Sequence, residues 1–153
     1  MESSSPHSYA FAGALAGGRT TAGPAFVSRK LETRGVLPRN RLLRAFRSRP
    51  MSVALTATNA AELVADKLPF IGSRTAPLPL ALRTVSGAVS GAALASADRR
   101  NALMGAALGA VGAVAGTFAT AFLRNALLKR LGVPNILAGL AEDAALMGLR
   151  RFA

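Results

Sequence analysis

The apolar positions of this chain fall into long, nearly uncharged stretches separated by short polar segments, a pattern typical of membrane-crossing helices. The stretch from Asn101 to Leu123 contains no charged residue, and the stretch from Pro77 to Ala97 contains one, Arg83. At about 1.5 Å per residue, each is long enough to cross a hydrocarbon core of about 30 Å. We predict a transmembrane helix over each.

Three weaker stretches complete the predicted bundle. Met51 to Leu68 is bounded by prolines, which favour a helix start and a helix stop. Asn135 to Leu149 is short, and Tyr9 to Val27 is interrupted by a glycine pair. We therefore predict an all-α fold, a small polytopic transmembrane helical bundle of four to five hydrophobic helices with Gly- and Ala-rich packing. The number is four if Tyr9 to Val27 is re-entrant.

The domain organisation follows from the same pattern. Residues 1–8 are expected to form a flexible N-terminal tail, and residues 9–151 a single helical membrane domain. The N-terminal part is also Ser- and Arg-rich and poor in acid, so an organelle transit peptide is the alternative for it.

Basic residues are concentrated in one segment of a chain whose formal net charge is +12. Eight of the 19 Lys and Arg residues lie between Arg29 and Arg49, so we predict a basic cytoplasmic loop at 28–50 that obeys the positive-inside rule. A five-span arrangement with the N-terminus on the opposite side fits this distribution. The expected partners are the lipid bilayer and anionic lipid headgroups at 29–49. No nucleic acid is expected, because Phe46 is the one aromatic residue available there for base stacking.

Composition removes much enzyme chemistry. The chain has no cysteine and a single histidine, which excludes disulfides, thiol nucleophiles and Cys/His metal cages. We find no nucleophile motif and no phosphate-cradling loop in the sequence. We therefore expect no enzymatic activity, no cofactor and no metal site, and a membrane enzyme that uses paired carboxylates is the least supported hypothesis.

Four acids lie in otherwise apolar segments: Glu62 and Asp66, one helical turn apart, and the adjacent pair Glu142 and Asp143. Each would cost roughly 2.5 to 3.5 kcal/mol at the centre of a membrane helix, so we expect them to face inward or to be paired. Arg83 is a further candidate partner. The predicted binding residues are Glu62, Asp66, Glu142, Asp143, Arg19 and Arg74. The alternative is that these charges form structural ion pairs.

Four glycines of the strongest span lie on one face of its helix, at Gly105, Gly109, Gly112 and Gly116. Such a stripe lets helix backbones approach closely where lipid provides little hydrophobic driving force. It serves either packing within the bundle or formation of a homo-oligomer.

A short pattern occurs twice, as Gly17-Gly18-Arg19-Thr20 followed by Pro24, and as Gly72-Ser73-Arg74-Thr75 followed by Pro79. Gly- and Pro-interrupted repeats are typical of transporters built from duplicated halves. The match is short, and low-complexity sequence can also produce it.

Several segments together resemble an uncharacterised family of bacterial membrane proteins, the domain of unknown function DUF4126. They are Ala16 to Ala25, Ala61 to Pro69, Ser73 to Pro77, Gly87 to Ala93, Gly105 to Gly116, Arg130 to Pro134 and Leu140 to Ala144. The resemblance covers most of residues 10–150 and implies an all-helical, multi-pass protein of the bacterial inner membrane. It implies no established activity.

Two hypotheses for the function follow. One is a transport-like or ion-coupled role through the intramembrane carboxylates. The alternative is a membrane scaffold or accessory subunit whose glycine-rich helix packs against a partner.

Overall fold

Six helices make up the part of the chain that the structure, a computed structural model, describes, namely residues 5–65 and 76–131, with side chains at 5–55, 57–58 and 76–126. They are α1 (Pro6–Gly18), α2 (Ala22–Thr33), α3 (Arg41–Phe46), α4 (Arg49–Ala65), α5 (Pro77–Ala97) and α6 (Ala102–Leu131). This part contains no strand, which confirms the all-α prediction. Two stretches, Pro77–Ala97 and Ala102–Ala126, are long and apolar enough to cross a membrane.

The helix starts follow local sequence signals. Pro6 and Pro77 occupy the first positions of α1 and α5, where a missing N–H costs no helical hydrogen bond. The Asn40 side chain accepts a 2.8 Å hydrogen bond from the Leu43 amide at the start of α3. Asn101 accepts an equivalent bond from the Leu103 amide at the start of α6.

Helices α5 and α6 form an antiparallel hairpin in which glycines meet at the interface. A β-carbon on Gly105 would lie 2.5 Å from the Gly91 carbonyl oxygen, and one on Gly87 would lie 2.6 Å from that of Gly109. Both separations are too short for real atoms. The two backbones can therefore approach this closely only where side chains are absent.

Helix α1 packs on the same glycine face of α6, but in the parallel direction. Gly112 lies against the backbone of Ala10, and Gly116 lies against that of Ala14, so both contacts are offset by the same number of residues. Gly13 of α1 meets the backbone of Gly109, the residue that also contacts α5. Three helix backbones therefore converge around Gly109.

Helices α1 and α2 form a second antiparallel hairpin, so Tyr9–Val27 is not one interrupted span and reverses direction, as the re-entrant alternative requires. A β-carbon on Gly23 would lie 2.6 Å from the Ala12 carbonyl oxygen, and the Phe11 and Phe26 rings meet edge to face, 5.7 Å apart. The chain reverses at Arg19, whose backbone is extended (φ −144°, ψ 134°). The glycine pair before it weakens the helix, and Pro24 fits only in a first turn.

The hairpin returns the chain to the end from which it started. Tyr9, near the start of α1, and Arg34, just after α2, both bind Asp98 in the turn between α5 and α6. The N-terminal end of α1 and the 28–50 segment therefore lie at the same end of the bundle, whereas the five-span arrangement places them on opposite sides.

Other boundaries differ from the sequence prediction. The 28–50 segment contains the end of α2, the whole of α3 and the start of α4 rather than a continuous loop. Helix α1 begins at Pro6, inside the segment expected as a tail, and α6 continues past Leu123 to Leu131. The predicted short helix over 135–149 lies outside the described residues.

We expect Gly109→Val to disrupt the contact of α1, α5 and α6, because the new side chain would overlap the Gly87 carbonyl. Overpacking of this kind typically costs about 1–3 kcal/mol. Ala107→Val is the matched control, since Ala107 is exposed on the same helix. Denaturant titration of the purified proteins measures the difference, and Gly109→Ala provides a milder variant if the valine variant does not fold. Equal stability of Gly109→Val and Ala107→Val would contradict the packing described.

Candidate functional site

Of the six predicted binding residues, two lie in the part of the chain that the structure describes. Arg19 lies half-buried at the tip of the α1–α2 hairpin, and Glu62 lies in α4, with its side chain outside the described ones. Asp66, Arg74, Glu142 and Asp143 lie outside the described residues. Whether the four acids approach one another or an arginine therefore remains a prediction.

The hairpin tip is instead surrounded by polar side chains from α5 and α6. Arg83, only 7% exposed, donates a 3.1 Å hydrogen bond from Nη1 to the Gly17 carbonyl. The Thr117 hydroxyl, fully buried, lies 3.1 Å from the same oxygen and 2.8 Å from the Ala113 carbonyl. The Gly17 carbonyl thus receives the Arg83 guanidinium from α5 and shares the single Thr117 hydroxyl proton of α6 with the Ala113 carbonyl.

Two serines of α5 extend this polar region. Ser86 donates a hydrogen bond to the Thr20 carbonyl, in the turn between α1 and α2. Ser90, one turn further along α5, is buried and donates to the Ser86 carbonyl at 2.8 Å. We call Thr20, Arg83, Ser86, Ser90 and Thr117 the tip cluster.

The electrostatics of the tip cluster follow from the helix break. The last carbonyls of α1 have no partner within their own helix, and they form the negative end of its dipole. The buried guanidinium of Arg83 donates a hydrogen bond to one of these carbonyls, and its positive charge interacts favourably with the negative end of the helix dipole. The guanidinium and the hydroxyls of the tip cluster therefore bind backbone carbonyls of the break and of the neighbouring helices. Among the described residues, no three His, Cys, Asp or Glu side chains are grouped to hold a metal ion.

A second polar group lies at the opposite end of α1. The Tyr9 hydroxyl donates a 3.0 Å hydrogen bond to Asp98 Oδ2, and Arg34 Nη1 lies 3.4 Å from Oδ1 of the same carboxylate. The phenol is the hydrogen-bond donor to the carboxylate. This group holds the α1–α2 hairpin to the α5–α6 turn.

The four glycines predicted for helix packing all contact helices of the same chain. Gly105 and Gly109 lie against α5, and Gly112 and Gly116 lie against α1. The glycine face of α6 is thus filled from within the described chain.

Sequence reasoning missed most of the tip cluster. The sequence indicates Arg83 only as a candidate partner for the acids, although a lone arginine in a 21-residue apolar helix is a signal for a specific buried contact. Thr117 gives no such signal, because a threonine in an apolar helix commonly bonds to its own backbone.

We expect Thr117→Val to lower the free energy of unfolding by about 1 kcal/mol, because the variant keeps the side-chain shape and loses a buried hydrogen bond between helices. Thr120→Val is the matched control, since among the described residues the Thr120 hydroxyl bonds to the Gly116 and Thr117 carbonyls of its own helix and to no other helix. Denaturant titration of both variants checks this difference. If Thr117→Val costs no more than Thr120→Val, the bond from α6 to the hairpin tip contributes nothing to stability.

Comparison with known proteins identifies a family but no characterised relative. No curated protein and no solved structure matches the chain significantly. A family model, described as Domain of unknown function (DUF4126), matches residues 9–153. Because this match covers nearly the whole chain, the protein belongs to the DUF4126 family.

Proposed function

We propose that this chain is a multi-pass integral membrane protein with a transport-like or ion-coupled role, centred on the tip cluster. The observation that carries the proposal is the break between α1 and α2, which lies against the middle of α6 and is held there by Arg83 and Thr117.

The outer faces of α5 and α6 support the membrane location. Large apolar side chains are exposed on both helices: Leu78, Leu82, Val85 and Val89 on α5, and Leu103, Met104, Val111, Phe118, Phe122 and Leu123 on α6. Those on α5 recur at helical spacing and form one stripe. No charged residue occurs between Ala102 and Leu123. Such a continuous apolar surface is favourable against lipid and unfavourable against water.

The depth of the hairpin tip follows from helix geometry. Thr117 lies about 22 Å along α6 from Ala102, and Arg83 lies about 9 Å along α5 from Pro77. Because α5 and α6 are antiparallel and both residues contact Gly17, the two distances measure the depth of the tip from opposite ends of the bundle. Their sum matches a hydrocarbon core of about 30 Å. In this arrangement the hairpin enters from the end that holds Asp98 and reverses about two thirds of the way across.

A chain reversal at this depth has few structural solutions. Backbone groups outside a helix are tolerated in the hydrocarbon region only where they are buried in protein or line a hydrated cavity. Broken helices of this kind place carbonyls and helix ends where transporters bind substrates and ions. The tip cluster has the same elements, and Arg83 adds a positive charge. A polar or ionic solute is therefore the class of ligand that we propose.

The four acids complete this proposal. Glu62, Asp66, Glu142 and Asp143 would bind or relay a proton or cation, with Arg19 and Arg74 as counter-charges. The span count becomes four crossings plus the re-entrant hairpin. The end with the 28–50 segment and the α5–α6 turn would face the cytoplasm, because it is rich in arginine. The membrane would be the bacterial inner membrane.

The scaffold alternative has less support. It requires the glycine face of α6 to receive a partner helix, yet α1 and α5 occupy that face. The apolar outer face remains as a surface for a partner or for lipid.

Single cysteines in this cysteine-free chain test the proposal at matched depth. Ser86 is in the tip cluster, whereas its neighbour Val85 is 61% exposed on the outer face. We expect Ser86→Cys and Thr20→Cys to react with a small water-soluble methanethiosulfonate in intact vesicles. Val85→Cys should stay unreactive, because a thiol in lipid is not ionised. Thr33→Cys, at an exposed position at the end of α2, is the positive control.

The outcomes separate the two parts of the proposal. If Val85→Cys reacts as fast as Thr33→Cys, the outer face is in water and the membrane location is wrong. If Val85→Cys and both tip variants stay unreactive, the tip cluster is a dry structural contact and the transport-like role is wrong. If the tip variants react, the same modification should reduce proton flux, measured with a pH-sensitive dye in proteoliposomes.

A further inference from the structure

The end of the bundle opposite the hairpin tip carries a fixed basic surface. Six arginines there are exposed: Arg39, Arg41, Arg44, Arg49, Arg99 and Arg100. We call them the basic collar. Arg39 to Arg49 come from the segment around α3, and Arg99 and Arg100 come from the turn between α5 and α6.

Buried contacts fix the α3 segment to the end of α5. Leu43 and Phe46 belong to the same buried cluster as Ala93, Leu94 and Ala97 in the last turn of α5. The Ser28 hydroxyl donates a 2.6 Å hydrogen bond to the Phe46 carbonyl. Leu43 and Phe46 therefore hold α3 against α5, while Arg41 and Arg44 of the same helix are exposed to solvent.

Two arginines of this region have different, internal roles. Arg34 contacts Asp98, and Arg47 donates to the Val36 carbonyl. Both are half-buried, whereas the collar arginines are exposed. The acids described at this end are Asp98, which is engaged by Tyr9 and Arg34, and the exposed Glu32. The outward charge at this end is therefore strongly positive.

Apolar residues directly adjoin the collar. Leu103 is 77% exposed and lies only three residues after Arg100, so the boundary between charged and apolar surface falls within one helical turn. Leu37, also 77% exposed, lies beside Arg39 in the segment before α3. An exposed leucine among arginines is typical of segments that insert at the boundary between lipid headgroups and acyl chains.

We propose that the basic collar binds the headgroups of anionic phospholipids, with Leu37 inserted between their acyl chains. This inference rests on the membrane location proposed above. Guanidinium groups bind phosphate in a bidentate manner, so arginine favours lipid phosphates beyond its charge alone. Nucleic acid fits less well, because Phe46, the aromatic side chain nearest the collar arginines in sequence, is buried and cannot stack on bases.

A single tryptophan provides a local test, since the chain has none. Leu37→Trp is placed in vesicles of equal phosphatidylglycerol and phosphatidylcholine, in which one or the other lipid carries brominated acyl chains that quench fluorescence. We expect brominated phosphatidylglycerol to quench more strongly, with a local enrichment of about fivefold at low salt, the factor that one basic residue at an anionic surface provides. The preference should weaken at high salt.

Matched variants identify the groups responsible. In the Leu37→Trp background, Arg39→Gln with Arg41→Gln and Arg44→Gln should bring the two quenching values together. The three lysine substitutions keep the charge but lose the bidentate geometry, so they should reduce the difference only in part. The same loss of charge at the other end of α6, by Arg124→Gln with Lys129→Gln and Arg130→Gln, should leave it unchanged. Equal loss in both glutamine triples would show that net charge alone is responsible and would overturn the collar.

Val111→Trp separates failure of this inference from failure of the membrane proposal. Val111 is 67% exposed in the middle of the α6 outer face, and its replacement should be quenched equally by both lipids. If neither lipid quenches Val111→Trp, the membrane location is wrong. If both lipids quench it and Leu37→Trp shows no preference, only the collar is wrong. Quenching of Leu37→Trp by an added oligonucleotide, but not by the lipids, would assign the collar to nucleic acid.

Discussion

Close contact between helix backbones at the glycine face of α6 is the constraint on which the rest of the structure depends. Gly105 and Gly109 receive α5, and Gly112 and Gly116, two turns further along, receive α1. In a lipid environment there is little hydrophobic force to bring helices together, so packing at short distance has to provide the attraction. The division of α6 into a glycine face and an outer face of Leu, Val and Phe follows directly from this requirement.

The same contact determines where α1 ends. Gly13 lies against the backbone of Gly109, and Gly17 lies against that of Ala113. Helix α1 therefore follows the glycine face of α6 and ends beside Thr117. The return of the chain as α2 leaves the last carbonyls of α1 inside the bundle. Polar groups from neighbouring helices must then bind them, because an unpaired buried carbonyl is costly. Arg83 and Thr117 bind the Gly17 carbonyl, and Ser86 binds the Thr20 carbonyl in the turn that follows.

Much of the architecture could be predicted from the sequence, and the reasons for the remainder are physical. The α5 and α6 stretches and the glycine stripe are recognisable because hydropathy and helical periodicity are local properties. The sequence leaves a kinked span and a re-entrant hairpin both open, because Gly17-Gly18 and Pro24 give the same local signal for the two. Contacts between α1 and α2, and of both helices with α5 and α6, distinguish the two. The hydrogen bond from Arg83 to Gly17 joins residues 66 positions apart, and no local pattern contains that information.

The repeated sequence pattern shows how context determines the outcome. Both copies precede a helix with proline in its first turn, and α2 begins at Ala22 while α5 begins at Pro77. The two helices run in parallel, since Thr20 meets Ser86 and Arg34 meets Asp98. Yet Thr20 faces a residue 66 positions later, whereas the two helix starts are 55 positions apart.

Helix α2 therefore starts about 16 Å further along the bundle than α5. A proline in the first turn thus marks the start of α5 at the end of the bundle and the start of α2 inside the bundle. A helix start at depth needs polar partners, and several of them come from far along the chain, namely Arg83, Ser86 and Thr117. Those partners lie on α5 and α6, so the character of the hairpin tip depends on residues far from it in the chain. Whether an interrupted apolar segment crosses the membrane or turns back within it consequently depends on polar residues of the neighbouring helices, such as Arg83 and Thr117 here.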